Sequence, residues 1–200
     1  LAPFAASYYH RPLGEVMLPA LPGPLRKPSA YLGKRSAGGP VDRLARRRRK
    51  AAEAATEEAP GQVADAPVLN PAQQAAVAAI GAQTGFAAIL LHGVTGSGKT
   101  EVYLHAVAQA LARGRQALLL VPEINLTPQL QQALVGRLQA IAGPHGVAVL
   151  HSGLAEGERL EAWLAVVRGE ARVVLGTRLS LLTPVPELGL IVVDEEHDTS

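Results

Sequence analysis

Apolar and polar positions along the last two thirds of the chain alternate in blocks of two kinds. Short stretches dominated by aliphatic residues lie at 87–92, 117–121, 147–150, 172–175 and 189–193, with His92 and Arg172 as polar ends of two of them. A run of that length with no polar alternation reads as a strand buried on both faces, as in a parallel sheet. Between the runs lie longer stretches, 100–112, 127–142 and 156–168, whose apolar residues recur at helical spacing. In the last of these Leu160, Trp163, Leu164 and Val167 form one stripe, which places Trp163 in the core. The stop signals agree with the periods, because Gly114, the pair Gly143-Pro144 and Gly169 each follow a helical stretch. Asn70-Pro71 predicts a further helix start, with Asn as N-cap, Pro at the first helical position, and Val77 and Ile80 on the apolar side. Strand and helix in alternation predict an α/β fold with right-handed crossovers, a mostly parallel sheet and helices on both faces.

Upstream of Val68 this pattern is lost. Residues 1–25 hold Phe4, Tyr8 and Tyr9 among other apolar positions and are interrupted by Pro12, Pro19, Pro22 and Pro24, which predicts a short packed piece. Residues 26–67 are rich in Gly, Pro, Arg, Ala and Glu and poor in large apolar side chains. Such a stretch cannot bury enough surface to offset its ordering entropy, so it reads as a disordered linker. A polar helix over 43–58 would be marginal on its own. The core is therefore expected over 68–200.

Composition narrows the classes. With 200 residues, 48% of them hydrophobic, the chain can bury one domain-sized core. It has no cysteine, which excludes disulfides and thiolate zinc sites within it and fits a reducing cytoplasm. No apolar stretch approaches the roughly 18 residues of a membrane span, so no membrane partner is expected. The chain starts at Leu1 and stops at Ser200, directly after an acidic string, and reads as a piece of a longer protein. Its net charge of +2 conceals an uneven distribution. Residues 26–50 carry ten Lys and Arg against Asp42 alone, including Arg46, Arg47, Arg48, Arg49 and Lys50. Two readings of that run stand side by side, a phosphate-neutralising nucleic-acid contact and a solvated charge run with no ligand.

Residues Gly93, Val94, Thr95, Gly96, Ser97, Gly98, Lys99 and Thr100 match the phosphate-binding pattern G-x-x-x-x-G-K-[ST] in full. The apolar run before it and the helical stretch after it supply the strand–loop–helix setting in which the pattern works. Glycines let consecutive backbone N–H groups approach phosphate oxygens, and Lys99 reaches the β- and γ-phosphates as a point charge. The Thr100 hydroxyl is a ligand for Mg²⁺, and the opening helix turns its positive end to the same anion. The run 190–193 ends in Asp194-Glu195-Glu196-His197-Asp198. Ligands of open α/β sheets sit at the carboxyl ends of strands, which puts Asp194 beside a nucleotide's Mg²⁺ and Glu195 where it can orient or deprotonate water. Lys99, Asp194 and Glu195 are thus the catalytic candidates.

Six strings in fixed order take the reading further: 69–73, 93–103, 121–129, 151–154, 176–178 and 189–198. Together they closely resemble the PriA (primosomal protein N′) family of bacterial replication-restart DNA helicases, of superfamily 2. The resemblance covers about residues 68–200 as the first RecA-like lobe of a P-loop NTPase, and residues 8–21 look like the end of the family's N-terminal DNA-binding domain. It implies an ATP-dependent 3′–5′ DNA helicase using ATP and Mg²⁺, working on forked or single-stranded DNA with other primosome proteins and single-strand binding protein. The implied location is the bacterial cytoplasm, with the nucleoid. By position, Gln73 would be the adenine-sensing glutamine, and Glu196 and His197 would couple the nucleotide site to the motor. Pro122, Glu123, Thr177 and Arg178 would grip the DNA backbone, with Arg46 to Arg49 as a further DNA contact. His151-Ser152-Gly153 would be a helicase loop.

The departures from the family pattern are as informative. A low-complexity stretch stands where the family has a winged-helix domain. The second lobe, its arginine finger and its zinc-binding cysteines have no counterpart in these 200 residues. Two expectations of different class follow. One is a helicase seen through part of its motor. The other is a nucleotide- and DNA-binding module without catalysis, because an arginine finger is worth about 10³ to 10⁵ in rate. On either view these residues alone are expected not to unwind DNA. A small-molecule kinase would leave 176–178 and the acidic string unexplained.

Overall fold

The computed structural model describes residues 1–27, 46, 67–94, 96–122 and 127–194. Four strands form one sheet: β1 (Gln116–Leu120), β2 (Val147–Leu150), β3 (Val173–Gly176) and β4 (Leu188–Val193), in spatial order β2-β3-β1-β4. Every pairing is parallel. The helices are α1 (Ala2–Tyr8), α2 (Leu13–Met17), α3 (Pro71–Gly81), α4 (Lys99–Ala112), α5 (Pro128–Ala142) and α6 (Glu156–Val167).

Because side chains alternate across a strand, β1 and β3 feed two separate cores. Ala117, Leu119, Val173 and Leu175 face one way and pack with Leu104, Val107 and Leu111 of α4 and Leu138 of α5. Leu118 and Val174 face the other way, onto Ala148 and Leu150 of β2 and Ala165 and Val166 of α6. This is the expected α/β architecture, with a parallel sheet and helices on both faces, and it is that of a RecA-like lobe. Local chemistry sets the helix starts. Asn70 and Gln73 form a reciprocal cap on α3, each side chain accepting from the other's backbone N–H at 2.9 Å. Thr127 caps α5 through its hydroxyl. The stops after α4, α5 and α6 use Gly114, Gly143 and Gly169, all at positive φ.

One predicted strand does not form. Residues 87–92 carry no ladder pairing, and Ile89 and Leu90 are 47% and 78% exposed. An apolar run predicts burial, but a strand also needs a neighbour that takes up its N–H and C=O groups, and no described segment supplies one. The run 188–193 does pair, but only with β1. It lies at the sheet's edge with Ile191 and Val193 about half exposed. The two runs that lead into the nucleotide motifs are therefore the least covered of the five.

The N-terminal piece is packed only at its end. Leu25 joins Leu160, Trp163 and Leu164 of α6, and Arg159 donates to the Pro19 carbonyl at 2.7 Å. Phe4 and Tyr8 stack with centroids 5.8 Å apart, yet Phe4, Tyr8 and Tyr9 all remain exposed rather than buried as expected. Trp163 is half-buried, and Val167 cedes its expected core place to Val166, which is fully buried. The linker expected over 26–67 lies outside the described residues except for Arg26, Lys27, Arg46 and Pro67.

Two polar contacts tie elements together, one between β1 and the end of α6 and one between α4 and α5. Gln116 is buried, and its amide donates to the carbonyls of Val166 and Ala171 and accepts from the Glu187 N–H. Glu101 in the first turn of α4 holds Arg137 of α5 through two bonds of 2.5 and 2.6 Å. The Arg137 hydrogen bond depresses the Glu101 pKa against the opposing pull of burial, with the Arg137 and His105 charges adding to it. A depressed carboxylate contributes stability above its unfolded value of about 4.3 and loses it as pH falls through the folded value. Arg137→Met should thus destabilise the fold at neutral pH, on the order of 1 kcal/mol once screening at the partly exposed arginine is allowed for. Urea unfolding of both proteins across a pH series should show that gap closing below about pH 4. A gap independent of pH would contradict the assignment.

Candidate nucleotide-binding site

Parallel strands present all their carboxyl ends on one edge of the sheet, and the motif residues gather there. Gly98 stands at φ +80° as the residue before α4, and Gly96 at φ +79°. The positive φ requires glycine at Gly98, and a Cβ there would displace the end of the Gln73 side chain, 2.4 Å away. Gln73 donates to the carbonyls of Ser97 and Gly98 at 3.2 and 3.4 Å while its oxygen caps α3. The side chain expected to sense adenine is thus spent here on bracing the loop. The Lys99 ammonium folds back on the same loop, donating to the Gly93 and Val94 carbonyls at 2.7 and 3.3 Å. These carbonyls occupy the acceptor role that phosphate oxygens would take, and the Glu101 N–H in the first turn of α4 donates to the Gly98 carbonyl at 3.0 Å. Thr95 lies outside the described residues.

The acidic strand arrives at the same place. The Asp194 N–H donates to the Leu120 carbonyl at 2.9 Å, which continues the β1–β4 ladder past its last pair. The Asp194 carboxylate accepts from the Tyr103 hydroxyl at 3.2 Å, and that hydroxyl lies 3.0 Å from the Thr100 hydroxyl. Thr100 and Asp194, 94 positions apart in the chain, are so held within about 6 Å of each other. Tyr103 is the site residue that sequence reasoning passed over. Its signals were a place at the end of the family-like string 93–103 and a position one helical turn after Thr100. Glu101, beside Thr100, is fully engaged by Arg137 and does not compete for a cation. Glu195, Glu196 and His197 lie outside the described residues.

The residues expected to touch DNA divide. Arg178 is exposed, and Pro122 is half-buried. Thr177 is 1% exposed and its hydroxyl is enclosed, so its side chain presents no surface to a backbone phosphate in this structure. His151 at the end of β2 accepts from the Gly153 N–H at 3.1 Å through Nδ1, which shapes its own loop. Arg46 is exposed, and Glu123 and Arg47 to Arg49 are outside the described residues. No helix of the described residues is long and apolar enough to cross a membrane.

Comparison with known proteins agrees with this geometry. Residues 70–200 match the DEAD/DEAH box helicases. A replication restart protein PriA of Synechocystis is 50% identical over 135 residues, covering 68% of this chain and 16% of that protein. The PriA of Bacillus subtilis is 49% identical over 111 residues, 56% of this chain and 13% of that protein. That of Treponema pallidum is 44% identical over 136 residues, 68% and 20%. The chain thus spans about a sixth of the length of these curated relatives. With a parallel α/β sheet, a phosphate loop and an acidic strand end converging on one edge, the chain belongs to the DEAD/DEAH box helicase family.

Proposed function

We propose that residues 68–194 are the core of the ATP-binding lobe of a replication-restart DNA helicase of the PriA kind. The observation that carries this reading is the meeting of Thr100 and Asp194 on one tyrosine hydroxyl at the strands' carboxyl ends. Their chemistry fits Mg²⁺, a hard cation that takes oxygen donors, keeps several waters and shares phosphate oxygens with its nucleotide. Bound there, Mg²⁺ would neutralise charge on the β- and γ-phosphates. This chain's own residues do the rest. The α4 N-terminus and the loop amides bind phosphate, and Lys99 exchanges its two loop carbonyls for phosphate oxygens. Thr100 and Asp194 orient the cation, and Glu195 positions the attacking water.

In the whole protein the reading extends to a second lobe carrying the arginine finger and structural zinc, and to 3′–5′ unwinding of forked DNA. The partners would be other primosome proteins and single-strand binding protein, in the bacterial cytoplasm near the nucleoid. Residues 1–25 would be the end of an N-terminal DNA-binding domain and 26–67 its basic linker. For these 200 residues alone a second reading has its own support, that of a nucleotide-binding module without turnover. The segment 87–92 that leads into the phosphate loop is unpaired, so the loop is anchored chiefly from α4 and Gln73.

Replacing Lys99 by Ala should lower Mg·ATP affinity more than tenfold, over about 1.4 kcal/mol, in calorimetric titration. Equal affinities would remove the phosphate-loop assignment.

DNA contact should follow the basic run. If Arg46 to Lys50 neutralise about four to five phosphates, log K should fall with log salt at a slope near −3 to −4.5. Converting Arg46 through Arg49 to Ala should flatten that slope by roughly 3. Anisotropy across a salt series checks it, and an unchanged slope would assign DNA contact to the lobe, at Arg178 and around Pro122.

A further inference from the structure

Tyr103 has no role in the motif chemistry above, yet its hydroxyl touches the side chains of both Thr100 and Asp194. It is half-buried, one turn into α4, with its ring packed against the core cluster shared by α4, β1 and β3. The chemistry of the two contacts gives the direction of the chain they form. An ionised carboxylate only accepts, so the single phenolic proton goes to Asp194, as the geometry at 3.2 Å has it. The phenolic oxygen must then accept from Thr100 across the 3.0 Å contact. Thr100 therefore gives its proton to Tyr103, which leaves both lone pairs of its oxygen turned away from the phenol. Only one carboxylate oxygen of Asp194 receives the phenol's bond, so the other stays available to a cation.

We propose that the Tyr103 hydroxyl is a positioning group for the metal side of the nucleotide site: it orients the Thr100 oxygen and the Asp194 carboxylate as cation ligands by the chain Thr100 → Tyr103 → Asp194. The proposal rests on the nucleotide-site reading above. Partners that hydrogen-bond metal ligands set ligand direction and basicity, and their loss commonly lowers metal affinity by about 10- to 100-fold. The tyrosine also joins the two halves of the site, since Thr100 belongs to α4 and Asp194 follows the end of β4.

Tyr103→Phe deletes the hydroxyl and keeps the packed ring, so it separates positioning from core packing. The measurement is ADP affinity by calorimetry, with Mg²⁺ and with EDTA in its place, for wild type, Tyr103→Phe, Asp194→Asn and the double variant. The Mg²⁺-dependent gain in affinity should fall about tenfold in Tyr103→Phe, while Mg²⁺-free affinity stays within about twofold. In the Asp194→Asn background the same change should cost much less, because the two act through one chain. An undiminished Mg²⁺ gain in Tyr103→Phe would overturn the proposal and leave the nucleotide site intact. Equal losses with and without Mg²⁺ would overturn it too, by making the hydroxyl a brace for the loop. Wild-type ADP binding that does not depend on Lys99 would bring down the nucleotide reading, and this proposal with it.

Discussion

Parallel pairing of β1 with both β3 and β4 is the constraint from which the rest of the molecule follows. A parallel neighbour cannot be reached by a tight turn, so each return of the chain needs a crossover. Two of those crossovers are α5 and α6, which cover opposite faces of the sheet, and the third, from β3 to β4, is residues 177–187. The same constraint sends every carboxyl end to one edge. His151, Thr177 and Asp194 follow three different strands and arrive at that edge together, while Gly114, Gly143 and Gly169 turn the chain at the opposite one. The site is in this sense a by-product of the sheet's direction, and side chains such as Tyr103 then join what the backbone has brought close.

Much of this was legible in the linear pattern, and the reason is local. Helix spans follow from apolar spacing and from glycine stops, so α4, α5 and α6 lie within a residue or two of their expected bounds, and β2 matches its aliphatic run at both ends. The phosphate loop is legible because its glycines are demanded by backbone geometry at Gly96 and Gly98. What was not legible depends on partners far away in the chain. The run 87–92 has a buried strand's composition, but composition does not name the neighbour that must complete its hydrogen bonds. Gln116 reads as one polar residue at the head of an aliphatic run, although its amide ties β1 to the ends of α6 and to the turn before β4. The pairing of Glu101 with Arg137 and of Tyr103 with Asp194 likewise exists only once helix and sheet are packed.

The state of the loop has a functional meaning. Lys99 and Gln73, the groups expected to serve the nucleotide, both bond to loop carbonyls. On the proposed reading, phosphate binding is an exchange of partners in which backbone carbonyls are released as phosphate oxygens arrive. Such an exchange would involve α3, whose cap contains Gln73.

If the α4 N-terminus and the end of β4 form one metal–nucleotide site, a single bound ion must lie close to both. Paramagnetic broadening of backbone amides by Mn²⁺·ADP measures that directly, because the effect falls steeply with distance from the ion. Amides of Gly96 through Glu101 and those of Val193 and Asp194 should broaden together, while Gly114 and Gly169 at the opposite edge stay sharp. Broadening confined to the loop, with Val193 and Asp194 as sharp as Gly169, would contradict a shared site.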